Sequence, residues 1–456
     1  MKNIAMLHYQ VGGTDGVSLE MAKWKQVLES LGHQVVLIAG DLGTTDGILV
    51  EELYHHRPEI ERLSRNTFVE LRDYDNVSKY ERELETQTQV IYNRLKEIVI
   101  DKEIDLFIPN NIWANTCSPP ASIAMGRVVR ELALPTIAHH HDFYWERIDG
   151  VALTCAPAVE LADKYMPPRD PRIQHVVINS LGQRELLARK GIRSTVISNV
   201  FDFGGPGWEQ DDYNADFRQR IGLKEADIMV LQATRIVPKK GIELAVDFVK
   251  ALNQPDRRER LQGAELYNGQ AFNDKSRIVL VLPGITRDDA TGQYLKYLKT
   301  KIFREGVEAL FIEDLIDGYR SQTEGIKRYS LWDTYVYADF VTYPSLWEGW
   351  GNQFLEALRA RLPVMLFEYP VYRSDIKDNG FKVLSLGSEL DGRDDLGLVQ
   401  VNPLLIENAA DAAIDTLTNK GLRDEMTDYN FDLARQNYSL DALSSLLEPQ
   451  INMVDK

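Results

Sequence analysis

Along this chain, short continuous apolar runs alternate with longer stretches whose apolar residues recur at helical spacing. Residues 4–8 form one run. A turn-rich loop, Gly12-Gly13-Thr14-Asp15-Gly16, follows it. Val17, Met21, Trp24, Leu28 and Leu31 then mark a helix, Gly32 ends it, and residues 35–38 form a second run. Strand, helix and strand in this order predict a βαβ opening and a parallel sheet. Residues 51–103 are charged and helical in pattern, with one long amphipathic helix over 80–100. Further strands are predicted at 105–109, ending in Asn110-Asn111; at 135–138, ending in His139-His140-His141-Asp142; and at 176–178 and 195–197.

The cluster Phe203-Gly204-Gly205-Pro206-Gly207 has neither period and reads as a connection between domains. A second alternation follows it. Strands are predicted at 228–233, 277–283, 310–312, 340–343 and 363–367, with a helix over 241–252. Residues 422–447 are helical in pattern, with a break at Asn437-Tyr438-Ser439. No repeat of fixed period interrupts this order. Two successive α/β units predict two doubly wound domains. The length agrees, because 456 residues exceed the roughly 250–300 that one core supports.

Charge narrows the partners. The formal net charge of -17 disfavours nucleic acid and attachment to anionic lipid through a basic patch. No apolar run reaches the ~20 residues that a membrane span needs, and the first residues lack a secretory leader pattern. A cytoplasmic protein is expected. The two cysteines, Cys117 and Cys155, suit neither a disulfide framework nor a four-ligand zinc site.

The richest chemistry lies after the strand at 340–343, in Pro344-Ser345-Leu346-Trp347-Glu348-Gly349-Trp350-Gly351-Asn352 and the helix that follows. Glycines let backbone approach a ligand closely, and a helix start offers free N–H groups. Glu348 in the loop and Glu356 one turn into the helix could each accept two hydrogen bonds from a vicinal diol. A glycine-rich loop flanked by solvated acids is the plainer alternative. In Thr234-Arg235-Ile236-Val237-Pro238-Lys239-Lys240-Gly241, cations at a helix start form an anion site, although basic loops also arise by chance. The loop Gly12-Gly13-Thr14-Asp15-Gly16 has the wrong spacing for a dinucleotide fingerprint. Three histidines in a row on a strand end point in alternate directions, so they do not converge on one metal ion. No metal site is expected.

Together these segments resemble the retaining glycosyltransferases of family 4. Glu348 and Glu356, seven residues apart within the proline-serine, glutamate, glycine, aromatic, glycine, glutamate-alanine order, look like the EX7E signature. The resemblance covers nearly the whole chain and implies the GT-B fold: two Rossmann-like domains with the active site in the cleft between them. It implies an acceptor domain over 1–203, a nucleotide-sugar domain over 204–430, and a last helix, 431–456, crossing back to the first domain. It further implies that Glu356 holds the ribose and Glu348 the transferred sugar. Gly349, Trp350, Gly351 and Asn352 would face the donor, and Arg235 and Lys240 would neutralise the diphosphate. Lys239 is expected to be solvated. Gly13 and Gly16 would approach the donor phosphates, with Asp15 beside the acceptor. His141 best matches the family's histidine at the reaction centre, with His140 the runner-up on the acceptor side. Asn110 and Asn111 either meet the acceptor or cap the strand end.

Weaker likenesses follow. Phe143-Tyr144-Trp145-Glu146-Arg147 either lines a sugar pocket or is core. Glu368-Tyr369-Pro370-Val371-Tyr372 would lie toward the nucleobase. Ser198-Asn199-Val200-Phe201-Asp202 resembles a family segment in which proline stands in place of Ser198.

The implied reaction moves a hexose, glucose or mannose, from a UDP-, GDP- or ADP-sugar to a hydroxyl of a soluble acceptor, with retention and no other cofactor. The flavour of the chain is similar to enzymes acting on small glycosides such as glucosylglycerate derivatives. Two rivals remain. A nucleotide-sugar epimerase or sugar phosphorylase would differ in needing no acceptor or in needing inorganic phosphate. A non-catalytic binding protein would be expected to lack Glu348, Arg235 or Lys240. Oligomeric state is not legible.

Overall fold

A computed structural model of the chain describes residues 1–453 except 14, 147–149, 287, 288, 290 and 324. Thr14 of the first glycine loop and Arg147 of the aromatic segment lie outside the described residues. The chain divides into two compact units, Met1–Val200 with Tyr438–Lys456, and Phe201–Asn437.

The first unit runs β1 (Asn3–Gln10), α1 (Gly16–Ser30), β2 (Gln34–Asp41), β3 (Ile48–Leu49), α2 (Pro58–Phe68), α3 (Val77–Asp101), β4 (Leu106–Pro109), α4 (Pro119–Glu131), β5 (Thr136–His140), α5 (Ala156–Tyr165), β6 (Ile173–Val177), α6 (Ser180–Lys190) and β7 (Ser194–Val196). The strands form one parallel sheet in the order β3-β2-β1-β4-β5-β6-β7. Alternate residues of β1 supply its two cores. Ala5, Leu7 and Tyr9 pack with Ile91 and Leu95 of α3 and Ala121 and Ala124 of α4. Ile4 and Met6 pack with Trp24 and Leu28 of α1. That double burial explains why β1 reads as an unbroken apolar run. Side-chain oxygens set the helix starts: Asp15 caps α1, Asn76 caps α3, and Ser118 caps α4 just before Pro119.

The second unit runs α7 (Phe217–Arg220), β8 (Ile228–Leu231), α8 (Ile242–Leu252), α9 (Pro255–Gln262), β9 (Ile278–Leu282), α10 (Gln293–Glu305), β10 (Glu308–Phe311), β11 (Ile316–Asp317), β12 (Ser321–Thr323), β13 (Ile326–Ser330), α11 (Leu331–Tyr337), β14 (Phe340–Tyr343), α12 (Asn352–Arg359), β15 (Val364–Leu366), β16 (Leu384–Ser385), β17 (Gly392–Arg393), β18 (Val399–Gln400), α13 (Pro403–Thr418) and α14 (Lys420–Tyr438). The main sheet has the order β10-β9-β8-β14-β15-β16 and is parallel throughout. A small sheet, β11-β13-β12, is inserted after β10. The sequence pattern did not predict it. The last helix, α15 (Leu440–Met453), follows a break at Ser439, whose hydroxyl accepts the Ala442 N–H. Its Leu443, Leu447 and Ile451 join the core around Trp24.

In each main sheet the strand order reverses once, between β1 and β4 in the first unit and between β8 and β14 in the second. Open parallel sheets bind ligands beyond the carboxyl ends of the strands at such a reversal. The glycine loop after β1, Asn110-Asn111 after β4, the cations after β8 and the Glu348 loop after β14 each follow a strand at one of these points. Among the described residues, no helix is long and apolar enough to cross a membrane.

Candidate active site

In the second unit, buried polar side chains tie the ends of β8 and β14. The Thr342 hydroxyl donates to Gln232 Oε1 at 2.7 Å, and Gln232 Nε2 donates to Thr234 Oγ1 at 2.7 Å. Beyond them, residues 238–240 make one tight turn that ends at Gly241, in the left-handed region at φ +57°. A Cβ at Gly241 would lie 2.4 Å from the carbonyl oxygen of Pro344. Leu346 N donates to Lys239 O at 2.8 Å. The two loops therefore touch backbone to backbone, which only glycine at 241 permits.

This contact brings Lys240 to Glu348. Lys240 Nζ lies 2.5 Å from Glu348 Oε1, although the residues are 108 apart in sequence. Burial pushes the Glu348 carboxyl up, but the Lys240 ammonium beside it, with help from Ser345 and Lys239, outweighs burial and holds it below the usual carboxylate range. Glu348 is thus ionised and spoken for by one cation. Arg235, at the start of the same loop, has an exposed side chain. Lys239, expected to be solvated, sits with its Nζ 5.3 Å from the Trp347 ring centroid.

The turn into α12 has its own constraint. Gly351 adopts φ +129°, and a Cβ there would lie 2.2 Å from the Tyr369 hydroxyl. That hydroxyl donates to the Trp350 carbonyl oxygen at 2.7 Å. Trp350, whose backbone amide was expected to face the donor, is only 3% exposed, so its indole belongs to the interior. Glu356 is buried, and Tyr335 Oη donates to its Oε2 at 2.8 Å. Sequence reasoning missed Tyr335. The Ser330-x-x-Asp333 capping box that starts α11 was a usable signal for that helix. At the far end of α12, Arg359 donates to the carbonyl oxygens of Asp202, Gly205 and Pro206 at 2.7–2.9 Å, and Asp202 Oδ1 accepts the N–H groups of Gly204 and Gly205. Beside Tyr335, Trp208 stacks on Trp332 at 4.4 Å, and both line a cavity of about 680 Å³. In the segment expected near the nucleobase, Glu368 accepts from Ser385 Oγ at 2.8 Å and pairs with Lys377.

In the first unit, the strand ends gather His8, Asp15, Asn110, Asn111, His139 and His141. Asp15 is first of all a cap. Its Oδ1 accepts the N–H groups of Val17 and Ser18, and its Oδ2 accepts Ser18 Oγ at 2.5 Å and Gln10 Nε2 at 3.3 Å. Gly13 and Gly16 flank it and are exposed. Asn110 is wholly buried, accepting His139 Nδ1 at 3.0 Å and donating to Ile108 O at 2.9 Å. Asn111, at φ +57°, donates to Asp142 Oδ1 at 2.6 Å and accepts the His141 N–H at 3.0 Å. Both asparagines make contacts that hold the strand end, one of the two roles open for them.

The histidine run splits as strand geometry requires. His139 and His141 share a side, with ring centroids 4.4 Å apart, and His139 also stacks on Trp24 at 4.2 Å. Burial lowers His141 to about 3 and His139 well below its ordinary value, so both are neutral. His140 corrects an expectation. It is turned to the opposite side and 2% exposed, with Nε2 2.9 Å from His175 Nδ1 and its ring against Phe143. It does not join the group that could meet an acceptor. Phe143 likewise lies in the core, stacked on Trp145 at 4.5 Å. Among the described residues, no group of three or more His, Cys, Asp and Glu side chains is arranged to hold a metal ion.

Known proteins match this architecture. Residues 214–431 match the family of glycosyl transferases group 1. The chain is 41% identical over 399 residues to the mannosylglucosylglycerate synthase of Petrotoga mobilis, covering 88% of this chain and 89% of that one. It is 36% identical over 448 residues to the mannosylglucosylglycerate synthase of Thermotoga maritima, covering 98% and 99%. A glycosyltransferase structure from Rickettsia africae shares the fold at a TM-score of 0.62 and 12% identity, covering 100% of this chain and 99% of that one. The chain therefore belongs to the glycosyltransferases of the GT-B fold, in the family of these two synthases.

Proposed function

We propose that the protein is a retaining family 4 enzyme that transfers a mannosyl group from a nucleoside diphosphate sugar to a hydroxyl of glucosylglycerate. The names of the two synthases support the sugar and the acceptor. The observation that supports the chemistry is the contact of Lys240 with Glu348, on the loops that follow β8 and β14; Glu356 lies on the helix that the second of these loops opens. In this reading Glu348 and Glu356 form the EX7E pair, Glu356 holding the ribose and Glu348 the sugar. Lys240 and Arg235 stabilise the diphosphate as it leaves, the task a metal ion performs elsewhere. The backbone of Gly349, Gly351 and Asn352 faces the donor. In the first unit, Gly13 and Gly16 border the phosphates, and His141 and the outer edges of Asp15 and Asn111 meet sugar hydroxyls.

No side-chain nucleophile is invoked. The acceptor hydroxyl attacks the anomeric carbon on the face from which the diphosphate departs, and a phosphate oxygen takes its proton. The bond to phosphate breaks as the glycosidic bond forms.

The test is incubation of the protein with glucosylglycerate and UDP-, GDP- or ADP-linked mannose or glucose. The expected result is one nucleoside diphosphate released per glycoside formed, with an α-linkage from an α-linked donor by NMR. Nucleotide release without acceptor, dependence on inorganic phosphate, or an inverted linkage would overturn this reading.

A further inference from the structure

Residues 54–57 of the first unit rest against the carboxyl end of β2. A Cβ at Gly40, next to the end of that strand, would lie 2.1 Å from Tyr54 N and 2.4 Å from its Cα, so the segment lies directly on the backbone there. The His55 ring is 5.3 Å from Tyr9, the residue after His8 in β1. His55 lies close enough to His8 and Asp15 for their charges to act on its ring, and Arg57 follows it by two residues.

Its guanidinium is under-used. Arg57 occupies the N-cap position of α2. Nη2 pairs with Glu59, while Nη1 is buried with no hydrogen-bond partner. His55 Nδ1 is likewise buried without a partner, and burial lowers this histidine to about 4, leaving it a neutral donor or acceptor. Lys23, a cation whose charge reaches His141, is committed to Glu20 and to the Val200 carbonyl oxygen. Asp15 and Asp142 suit hydroxyls and would repel an anion. An arginine fork with an unused N–H is the group that matches a carboxylate geometrically.

We infer that Arg57, assisted by His55, is a carboxylate-binding site that recognises the acid group of the acceptor. The inference rests on the proposed function for the identity of that acceptor; its ligand class, a small carboxylate, follows from the site itself. Glu59 then competes with the ligand for the same guanidinium.

The experiment is ligand-observed NMR on the full chain, with glucosylglycerate and with glucosylglycerol, in which a hydroxymethyl replaces the carboxylate. Wild-type protein should bind the acid at least tenfold more tightly than the alcohol. Arg57→Ala should bring the two to within about twofold. Glu59→Gln, which keeps the helix start intact, should tighten the acid several-fold. Equal binding of acid and alcohol by wild type, or an unchanged ratio in Arg57→Ala, overturns the inference even if the protein proves an active mannosyltransferase. Conversely, absence of transfer with an Arg57-dependent preference for the acid would refute the enzymatic reading and leave this site standing.

Discussion

Lys240 Nζ and Glu348 Oε1 are 2.5 Å apart, with side chains only 5% and 12% exposed. A donor diphosphate that uses Lys240 must share or displace this carboxylate. Lys240→Ala should lower turnover about 10²–10³-fold, the usual scale for removing a group that stabilises transition-state charge. Glu348→Gln should abolish transfer yet bind free nucleoside diphosphate about tenfold more tightly, since a charge-assisted hydrogen bond is worth roughly 1.5–3 kcal/mol. Calorimetric titration checks this; unchanged or weaker nucleotide binding would show that Glu348 does not compete for Lys240.

Gly241→Ala should be costly for two reasons, the left-handed backbone and the 2.4 Å approach to the Pro344 carbonyl oxygen. A loss of about 1–3 kcal/mol of stability is expected, together with most of the activity, because the contact that delivers Lys240 must open. Gly292→Ala provides the control. That residue also has positive φ, at +66°, but nothing lies within 4 Å of its Cβ position. It should cost only the left-handed penalty, about 1–2 kcal/mol in chemical denaturation, and leave turnover intact.

Tyr335→Phe removes the hydroxyl that orients the buried Glu356 carboxylate. Nucleotide affinity should fall several-fold. More tellingly, discrimination between ribose and 2′-deoxyribose donors should shrink, because a carboxylate that has lost one of its restraints addresses two hydroxyls less well as a pair. Competition assays with the two nucleotides would reveal it; an unchanged preference would mean that Glu356 needs no such support.

Stability should fall on mild acidification. His139 and His140 lie well below the ordinary histidine value, His141 at about 3 and His175 at about 4, with burial the largest cause for each. A group whose folded pKa is depressed leaves the unfolded chain holding the extra proton. Its contribution is therefore complete above about pH 6.5 and is lost as pH drops toward the folded value. His175 alone amounts to about 3 kcal/mol over that full range. Urea midpoints at pH 7.5, 6 and 5, before most carboxylates titrate, should decline steadily. Flat midpoints would mean that these rings are hydrated or already protonated.

Much of this was legible in the residues. The unbroken apolar run of β1, the periodic α1 and the stop at Gly32 predicted the first βαβ unit because burial on two faces leaves no alternation to misread. The Glu348 and Glu356 spacing was legible because both acids lie in one continuous strand-to-helix segment. Tyr335 and Arg57 were not. Tyr335 matters through Glu356, on another helix, and Arg57 stands out by one N–H left without a partner; a linear pattern records neither. The β11-β13-β12 sheet escaped for another reason. Its strands are two to five residues long and mix charged and aromatic positions without a clean period of two. The direction of the Trp350 ring was not legible either, because an aromatic between two glycines can turn to either side and only the fold sends it inward.

The alternation of His139, His140 and His141 has a consequence for how the strand tolerates insertion and deletion. One residue added to or removed from the preceding stretch would swap the two faces of β5 for every side chain it carries. In most strands that exchange replaces each chemical group by a different one. Here three identical rings occupy consecutive places, so a slip of one position still presents imidazole at two of the three. The triplet acts as a phase buffer, keeping a histidine on each face of the sheet even when the frame of the strand is off by one.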